Sequence, residues 1–193
     1  MNPIWLVRHG ETEWTKSKQH TSRTDIALTP EGEKAARALA PVLAQHSFAA
    51  VFASPRERAR RTAELAGFAD AQLDEDLVEI DYGEYEGRTS AAIREERPDW
   101  ILWRDGTPGG ESIEEAGKRA DRVRDRIEAV EGDVLLFGHG HFSRILGARL
   151  VGLDAADGRL LILDPGAISV IGAEHETRAI RTWNWSPERV PPG

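Results

Sequence analysis

The stretch DVLLFGHGHFSRIL, residues 133–146, decides the fold. Asp133 to Phe137 reads as an apolar strand covered on both faces, the pattern that parallel sheets require. It breaks into Gly138-His139-Gly140, and a helix from about Phe142 to Val151 follows. Working outward, Ile4 to Val7 is a second short apolar strand, broken by Arg8-His9-Gly10. Phe48 to Ala53 is a third, followed by Ser54-Pro55. Helices separate these strands. Thr29-Pro30-Glu31 opens one, with Ala35, Ala36, Leu39, Val42 and Leu43 on its apolar face and Pro41 as a kink or stop. Ser54-Pro55-Arg56-Glu57 reads as a capping box for a helix to about Ala66. Ser112-Ile113-Glu114-Glu115 reads as a second box, and Ile113, Ala116, Ala120, Val123, Ile127 and Val130 follow at helical spacing. Residues 71–88 read as a short strand and an acidic loop, and 89–110 as short helices forming a lid. Two runs, near Ala167 to Gly172 and Arg178 to Trp183, read as edge strands. The alternation of strand and helix is that of an α/β fold.

The chain has 193 residues, 25 Lys and Arg against 33 Asp and Glu, and a formal charge of −8. Residues 1–185 fit one domain, with the lid at about 89–110 and a loose tail over 186–193. The acidic balance excludes nucleic acid and anionic membranes as bulk partners, because both need a basic footprint. No cysteine is present, so disulfides, thiolate nucleophiles and zinc–cysteine sites are excluded. The longest apolar run, Phe48 to Ala53, is far below the ~18 residues of a membrane span. MNPIWLV carries neither a basic start nor a long apolar stretch, so the expected location is the cytoplasm. An edge strand could pair two copies in a homodimer.

In an open α/β sheet, ligands bind at the carboxyl ends of the strands. Two histidines and several arginines are expected to converge there. Guanidinium forks match phosphate oxygens. A neutral imidazole is a competent nucleophile, and glycine beside each histidine allows close backbone approach. No phosphate-binding loop of the nucleotide type and no acidic triad for magnesium is present. The simplest chemistry for this set is phosphoryl transfer to a histidine, without metal or other cofactor, on a small phosphorylated substrate.

Four blocks in order carry a family resemblance. LVRHGETEW (6–14), SPRERARRTAE (54–64), DLVEIDYGEYEG (76–87) and LLFGHGHFSRIL (135–146) resemble the signature blocks of the histidine phosphatase superfamily, the phosphoglycerate mutase-like proteins. The stretches KSKQHTSRTDIALT, EIDYGEYEG, ILWRDGTPGGES and GHGHFSR resemble a branch that includes bacterial acid phosphatases and the yeast sedoheptulose 1,7-bisphosphatase. The resemblance implies a three-layer α/β/α sandwich with a mostly parallel sheet and a histidine acid phosphatase-type phosphoric monoester hydrolase. It implies His9 as nucleophile, Arg8 and Arg58 as phosphate clamps, His139 as stabiliser of the transferring group and Glu79 as proton donor. Around them it implies a substrate pocket drawn from Thr15, Ser22, Arg23, Thr24, Tyr82, Arg104, Gly140 and His141. Thr15 stands where many members have asparagine, and Ser22 where glycine is common. Arg104 is expected to meet a second anionic group.

The remaining candidates have plainer readings. His20, His46 and His175 read as surface or loop residues. His139-Gly140-His141 has metal-ligand spacing, but no further ligand pattern follows, and His141 fits the pocket mouth. Arg56, Arg60 and Arg61 read as a solvated helix face, the acidic residues of 74–86 as rim, and the tryptophans as core or lid. Glu11 and Thr12 organise the loop after His9. Competing functions are a phosphoglycerate mutase, a phospho-binding module without turnover, and a metallohydrolase using the histidine pair. The family's mutases are longer and carry arginine directly after the acidic-block glutamate, where this chain has Ile80.

Overall fold

A computed structural model describes residues 1–187. The loose tail expected over 186–193 lies, from residue 188 on, outside the described residues. The strands are β1 (Ile4–Arg8), β2 (Ala50–Ala53), β3 (Gln72–Leu73), β4 (Val134–Gly138), β5 (Ile168–Glu174) and β6 (Thr177–Trp185). The helices are α1 (Glu13–Lys16), α2 (Pro30–Leu43), α3 (Glu57–Leu65), α4 (Ser90–Glu96), α5 (Leu102–Asp105), α6 (Ile113–Glu128) and α7 (Gly140–Leu150). The sheet order is β3-β2-β4-β1-β5-β6. β3, β2, β4 and β1 run parallel, and β5 and β6 are antiparallel additions. β5 is therefore internal, because it pairs with β1 on one side and β6 on the other; only β6 of the two late strands is an edge.

Alternation along the strands divides the core in two. Ile4 and Leu6 of β1 and Val134 and Leu136 of β4 face the cluster that includes Val123 and Ile127 of α6 and Ile145 and Leu146 of α7. Val7, Leu135 and Phe137 face the other cluster, with Leu39 and Leu43 of α2 and Ala63 of α3. The result is the expected three-layer α/β/α sandwich. Among the described residues no helix is long and apolar enough to cross a membrane.

Most element starts follow from their caps. Thr29 accepts from Gly32 N at the start of α2, and Ser112 and Glu115 form a reciprocal capping box for α6. Pro41 sits within α2, and the helix continues only to Leu43. The capping box expected at Ser54 does not form. α3 starts at Glu57 with Arg56 in the cap position and no side-chain cap bond, and Asp25 accepts from Glu57 N at 2.8 Å instead. Ser54 is drawn elsewhere, to His139, 85 residues away in sequence.

Gly10 differs from its expected use. A Cβ at Gly10 would lie 2.5 Å from Gly32 O, and one at Gly32 would lie 2.2 Å from Glu11 O. The two glycines let the loop after β1 cross the first turn of α2 backbone to backbone. Gly32→Ala is expected to cost about 2–3 kcal/mol, because the backbone atoms it meets cannot rotate aside. Urea denaturation of the purified variant measures it, and a loss below about 0.5 kcal/mol would contradict the tight crossing.

Candidate active site

Strand register builds the centre of the site. In the parallel β1–β4 pair, Arg8 stands opposite Gly138, so the next residues of each strand, His9 and His139, emerge side by side. In the β2–β4 pair Ala53 stands opposite Phe137, which brings Ser54 level with them. His9 N donates to Gly138 O at 3.0 Å, and Ser54 N to Phe137 O at 2.9 Å. The rings of His9 and His139 lie 5.2 Å apart between centroids, edge to face.

His9 is 4% exposed, and its Nδ1 lies 2.7 Å from Gly10 O. A carbonyl only accepts, so Nδ1 carries the hydrogen and Nε2 keeps its lone pair. Burial, with Arg58 and Arg8 nearby, holds the ring's pKa well below the usual histidine value. Gly10 is itself fixed, because its N–H donates to Thr62 Oγ1 at 3.0 Å and Thr62 Oγ1 donates to Arg58 O at 2.7 Å.

Of the cations beside the histidines, Arg58 is buried and Arg8 is half-buried. Arg58 is fully buried and donates to the carbonyls of Thr21, Ser22 and Thr24 at 3.1–3.2 Å. Arg8 Nη1 donates to Leu163 O at 2.6 Å. Burial lowers the pKa of both arginines, and the charge of Glu79 partly offsets it. Arg8 Nε, Arg58 Nε and His139 Nδ1 are buried without a hydrogen-bond partner among the described residues, as is Arg56 Nε. Buried polar atoms are nearly always paired. Apart from Trp5 Nε1, which packs against His46 and Phe48, the unpaired ones among the described residues lie on Arg8, Arg56, Arg58 and His139, the cations and imidazole around His9. Arg56 is thus no solvated face residue: its charge bears on both His139 and Arg58.

Glu79 is 5% exposed and accepts three backbone N–H bonds. Oε1 takes those of Ile80 (3.0 Å) and Phe142 (2.8 Å), and Oε2 takes that of His141 (3.0 Å). α7 has no side-chain cap from its own N-cap residue, His139. Glu79 supplies one from a distant segment, satisfying N–H groups that a helix start leaves open. That segment is held by Arg119 of α6, which donates to Asp76 O and Val78 O at 2.7 Å and pairs with Glu111.

A cleft of about 450 Å³ opens above this centre. Of the residues expected at the site, Arg8, His9, Thr15, Glu79, Tyr82, Gly140 and His141 line it. Arg58 and His139, both fully buried, are not among its lining residues and reach the site through the charge cluster around His9. A Cβ at Gly140 would come within 3.1 Å of the Arg8 guanidinium. Tyr82 Oη lies 2.6 Å from His141 Nδ1. From the segment expected to form a lid, Ser90, Arg94 and Trp100 to Trp103 form a wall of the cleft.

Other expected members are spent elsewhere. The Thr15 hydroxyl donates to Thr12 O (2.9 Å) and accepts from Thr12 N (2.8 Å), capping α1, so it holds no free donor for phosphate. Ser22 and Thr24 give their N–H groups to the Glu86 carboxylate, and Arg23 pairs with Asp81; none lines the cleft. Arg104 is exposed, paired with the adjacent Asp105 at 2.7 Å and bonded to Asp99 O at 2.5 Å. A neighbouring carboxylate captures it before it reaches the cleft.

Four cleft residues have no signal in the sequence. His20, read as a surface residue, is buried 4.6 Å from the ring of Tyr82 and 5.8 Å from that of Trp100, and burial pushes its pKa down to about 4. Lys18, Arg94 and Arg144 supply the cleft's outer positive charge. Arg144 stacks 4.6 Å over Trp103 and donates to Gly158 O and Arg159 O. Arg94 Nε donates to Trp100 O at 3.1 Å. The His139–His141 pair is split: the first ring packs on His9, the second on Tyr82, His20 and Trp103. Among the described residues no group of three or more metal-ligating side chains converges.

Comparison with known proteins adds an independent line. The sequence profile of the histidine phosphatase superfamily (branch 1) matches residues 4–186. The chain is 39% identical over 181 residues to an acid phosphatase of Mycobacterium tuberculosis, covering 92% of this chain and 89% of that protein. It is 38% identical over 182 residues to the sedoheptulose 1,7-bisphosphatase of Saccharomyces cerevisiae, covering 77% of this chain and 67% of the relative. The solved structure of the open reading frame Rv3214 of Mycobacterium tuberculosis superposes with a TM-score of 0.93 at 36% identity, over 97% of this chain and 99% of that one.

The buried histidines set an acid limit on stability. The pKa values of His9, His20, His139 and His141 are all lowered in the fold. Below about pH 6.5 the unfolded chain binds protons that the folded site refuses, so stability falls as pH falls. Each such histidine contributes a slope of about 1.4 kcal/mol per pH unit. The urea midpoint is expected to drop steeply between pH 6.5 and 5, and His20→Gln to flatten that drop. A midpoint independent of pH in this window would contradict the buried, neutral rings.

Proposed function

The chain belongs to the histidine phosphatase superfamily, and from that premise we propose that it is a metal-independent phosphomonoesterase of the cytoplasm acting on small phosphorylated metabolites. The observation that carries this reading is the pairing of a neutral His9, its Nε2 lone pair free, with buried guanidinium and imidazole nitrogens that have no other partner among the described residues. His9 Nε2 attacks phosphorus in line. A P–N bond forms, the ester P–O bond breaks, and Glu79 gives its proton to the leaving oxygen. Oε2 accepts only one N–H bond and is the oxygen available for that proton. Water then attacks the phosphohistidine, Glu79 takes back a proton, and His9 leaves as the neutral ring. Arg8, Arg58 and His139 balance the charge that builds on the non-bridging oxygens, the contribution that dominates phosphoryl transfer.

The substrate class follows from the outer cleft. Among the described residues most arginines of this acidic chain are ion-paired, but no described carboxylate pairs with Arg94, Arg144 or Lys18. Unpaired cations beyond the phosphoryl centre suit a metabolite with a second anionic group, and sugar bisphosphates fit that description. A relative that carries the name of a bisphosphatase supports the same reading. A homodimer would pair along β6, the long exposed edge.

With p-nitrophenyl phosphate, full turnover is expected in EDTA and none above background in His9→Ala. Loss of activity in EDTA would favour a metallohydrolase, and isomerised labelled 3-phosphoglycerate without phosphate release would favour a mutase. Arg144→Met is expected to lower kcat/KM for a sugar bisphosphate about 10- to 100-fold more than for a monophosphate, the range for a charge-assisted hydrogen bond. Equal losses on both substrates would remove the second-anion role.

A further inference from the structure

We infer that Ser54 is a positioning residue that fixes the neutral tautomer of His139, so that His139 offers an Nδ1–H to the transferring phosphoryl group; this rests on the phosphatase reading above. Ser54 is fully buried, and its Oγ lies 2.8 Å from His139 Nε2. Among the described residues the only other bond to this hydroxyl is a long one, 3.4 Å from Arg56 N, in which the oxygen accepts. A buried hydroxyl needs an acceptor for its own proton, and among these contacts that acceptor is His139 Nε2. A nitrogen that accepts carries no hydrogen, so the hydrogen of the neutral ring is on Nδ1.

The second half of the argument is what Nδ1 does. It is buried and has no partner among the described residues. The ring lies 5.2 Å from that of His9, and Arg8 and Arg58 act on both histidines. Nδ1–H there is a donor held ready for a phosphoryl oxygen. The opposite tautomer would strand the Ser54 proton and turn a bare lone pair toward an anion. Both faults disappear when Ser54 donates. No proton changes hands at Ser54; it selects which nitrogen of its neighbour is protonated.

The fold explains how a residue outside the usual catalytic set comes to do this. β2 ends level with β4, and Ser54 N donates to Phe137 O at 2.9 Å, one strand away from His139. From there the same segment supplies Arg58 and Thr62 at intervals of four residues. Arg58 enters the charge cluster, and Thr62 holds Gly10, the acceptor that fixes the tautomer of His9. One short stretch thus sets the protonated nitrogen of both rings.

Long-range proton–nitrogen spectra of the full-length protein, labelled at its six histidines, test this directly, with His139→Gln assigning the signal. At pH 7 the wild type is expected to show His139 protonated at Nδ1 and bare at Nε2. Ser54→Ala should lose that tautomer preference and lower kcat for p-nitrophenyl phosphate about 10- to 100-fold, as loss of an orienting partner does elsewhere, with KM moving under about threefold. Ser54→Thr keeps the hydroxyl and should keep the tautomer. A wild-type ring protonated at Nε2 would overturn the inference, as would Ser54→Ala with its tautomer unchanged or kcat within twofold. If Ser54→Ala does not fold, the wild-type spectrum decides alone. A wild type without turnover would instead sink the phosphatase reading, and the tautomer measurement would stand apart from it.

Discussion

Three parallel strands that end at the same height hold the rest of the site in place. The β1–β4 ladder sets Arg8 against Gly138, and the β2–β4 ladder sets Ala53 against Phe137. Every residue that follows a strand end then shares one small volume: His9, Ser54 and His139. A slip of one residue in either ladder would send these side chains to the opposite face of the sheet, because strand side chains alternate. Backbone hydrogen bonds therefore fix the histidine pair before any side chain contributes. The buried apolar faces of β4, covered by α2 and α3 on one side and α6 and α7 on the other, lock that register.

The cost of the arrangement is buried charge. Arg58, fully buried, and Arg8, half-buried at the cleft, sit beside two imidazoles in a protein whose net charge is −8. Backbone carbonyls of Thr21, Ser22, Thr24 and Leu163 solvate the guanidiniums, and Glu79 supplies the nearby negative charge. Glu79 is in turn held by the open N–H groups of α7. Each group thus has a reason for its position apart from catalysis, yet among the described residues Arg8 Nε, Arg58 Nε and His139 Nδ1 remain without partners. An interior with a few unsatisfied donors beside the nucleophile is preorganised for an anion: it need not rearrange when charge appears.

The outer cleft follows a different rule. Arg104, expected there, is taken by the adjacent Asp105. Arg144 has no carboxylate within a helical turn and leans on Trp103 and on two carbonyls, and Arg94, although Glu95 follows it, bonds Trp100 O. The same wall carries His20, Tyr82 and Trp100 as packed rings. Substrate recognition therefore rests on side chains whose direction is decided by the neighbours of the lid, whereas phosphoryl recognition rests on strand ends.

The sequence by itself determined the elements that local patterns encode. The apolar run of β4, the caps at Thr29 and Ser112, and the groups at the strand ends (Arg8, His9, His139) were legible, since apolar periodicity and capping chemistry act over a few residues. The three-layer sandwich and the roles expected of Glu79 and Arg58 came from the four family-like blocks. Only the tertiary structure decided which side chains share a volume across long separations. Ser54 reads as a helix cap and instead bonds His139; Thr15 reads as a ligand and instead caps α1; His20 reads as surface and is buried in the cleft; Arg104 reads as a cleft cation and is taken by Asp105. A hydroxyl or guanidinium can satisfy itself on several neighbours, and which one it meets is settled by strand register and lid packing, interactions that no window of neighbouring residues contains.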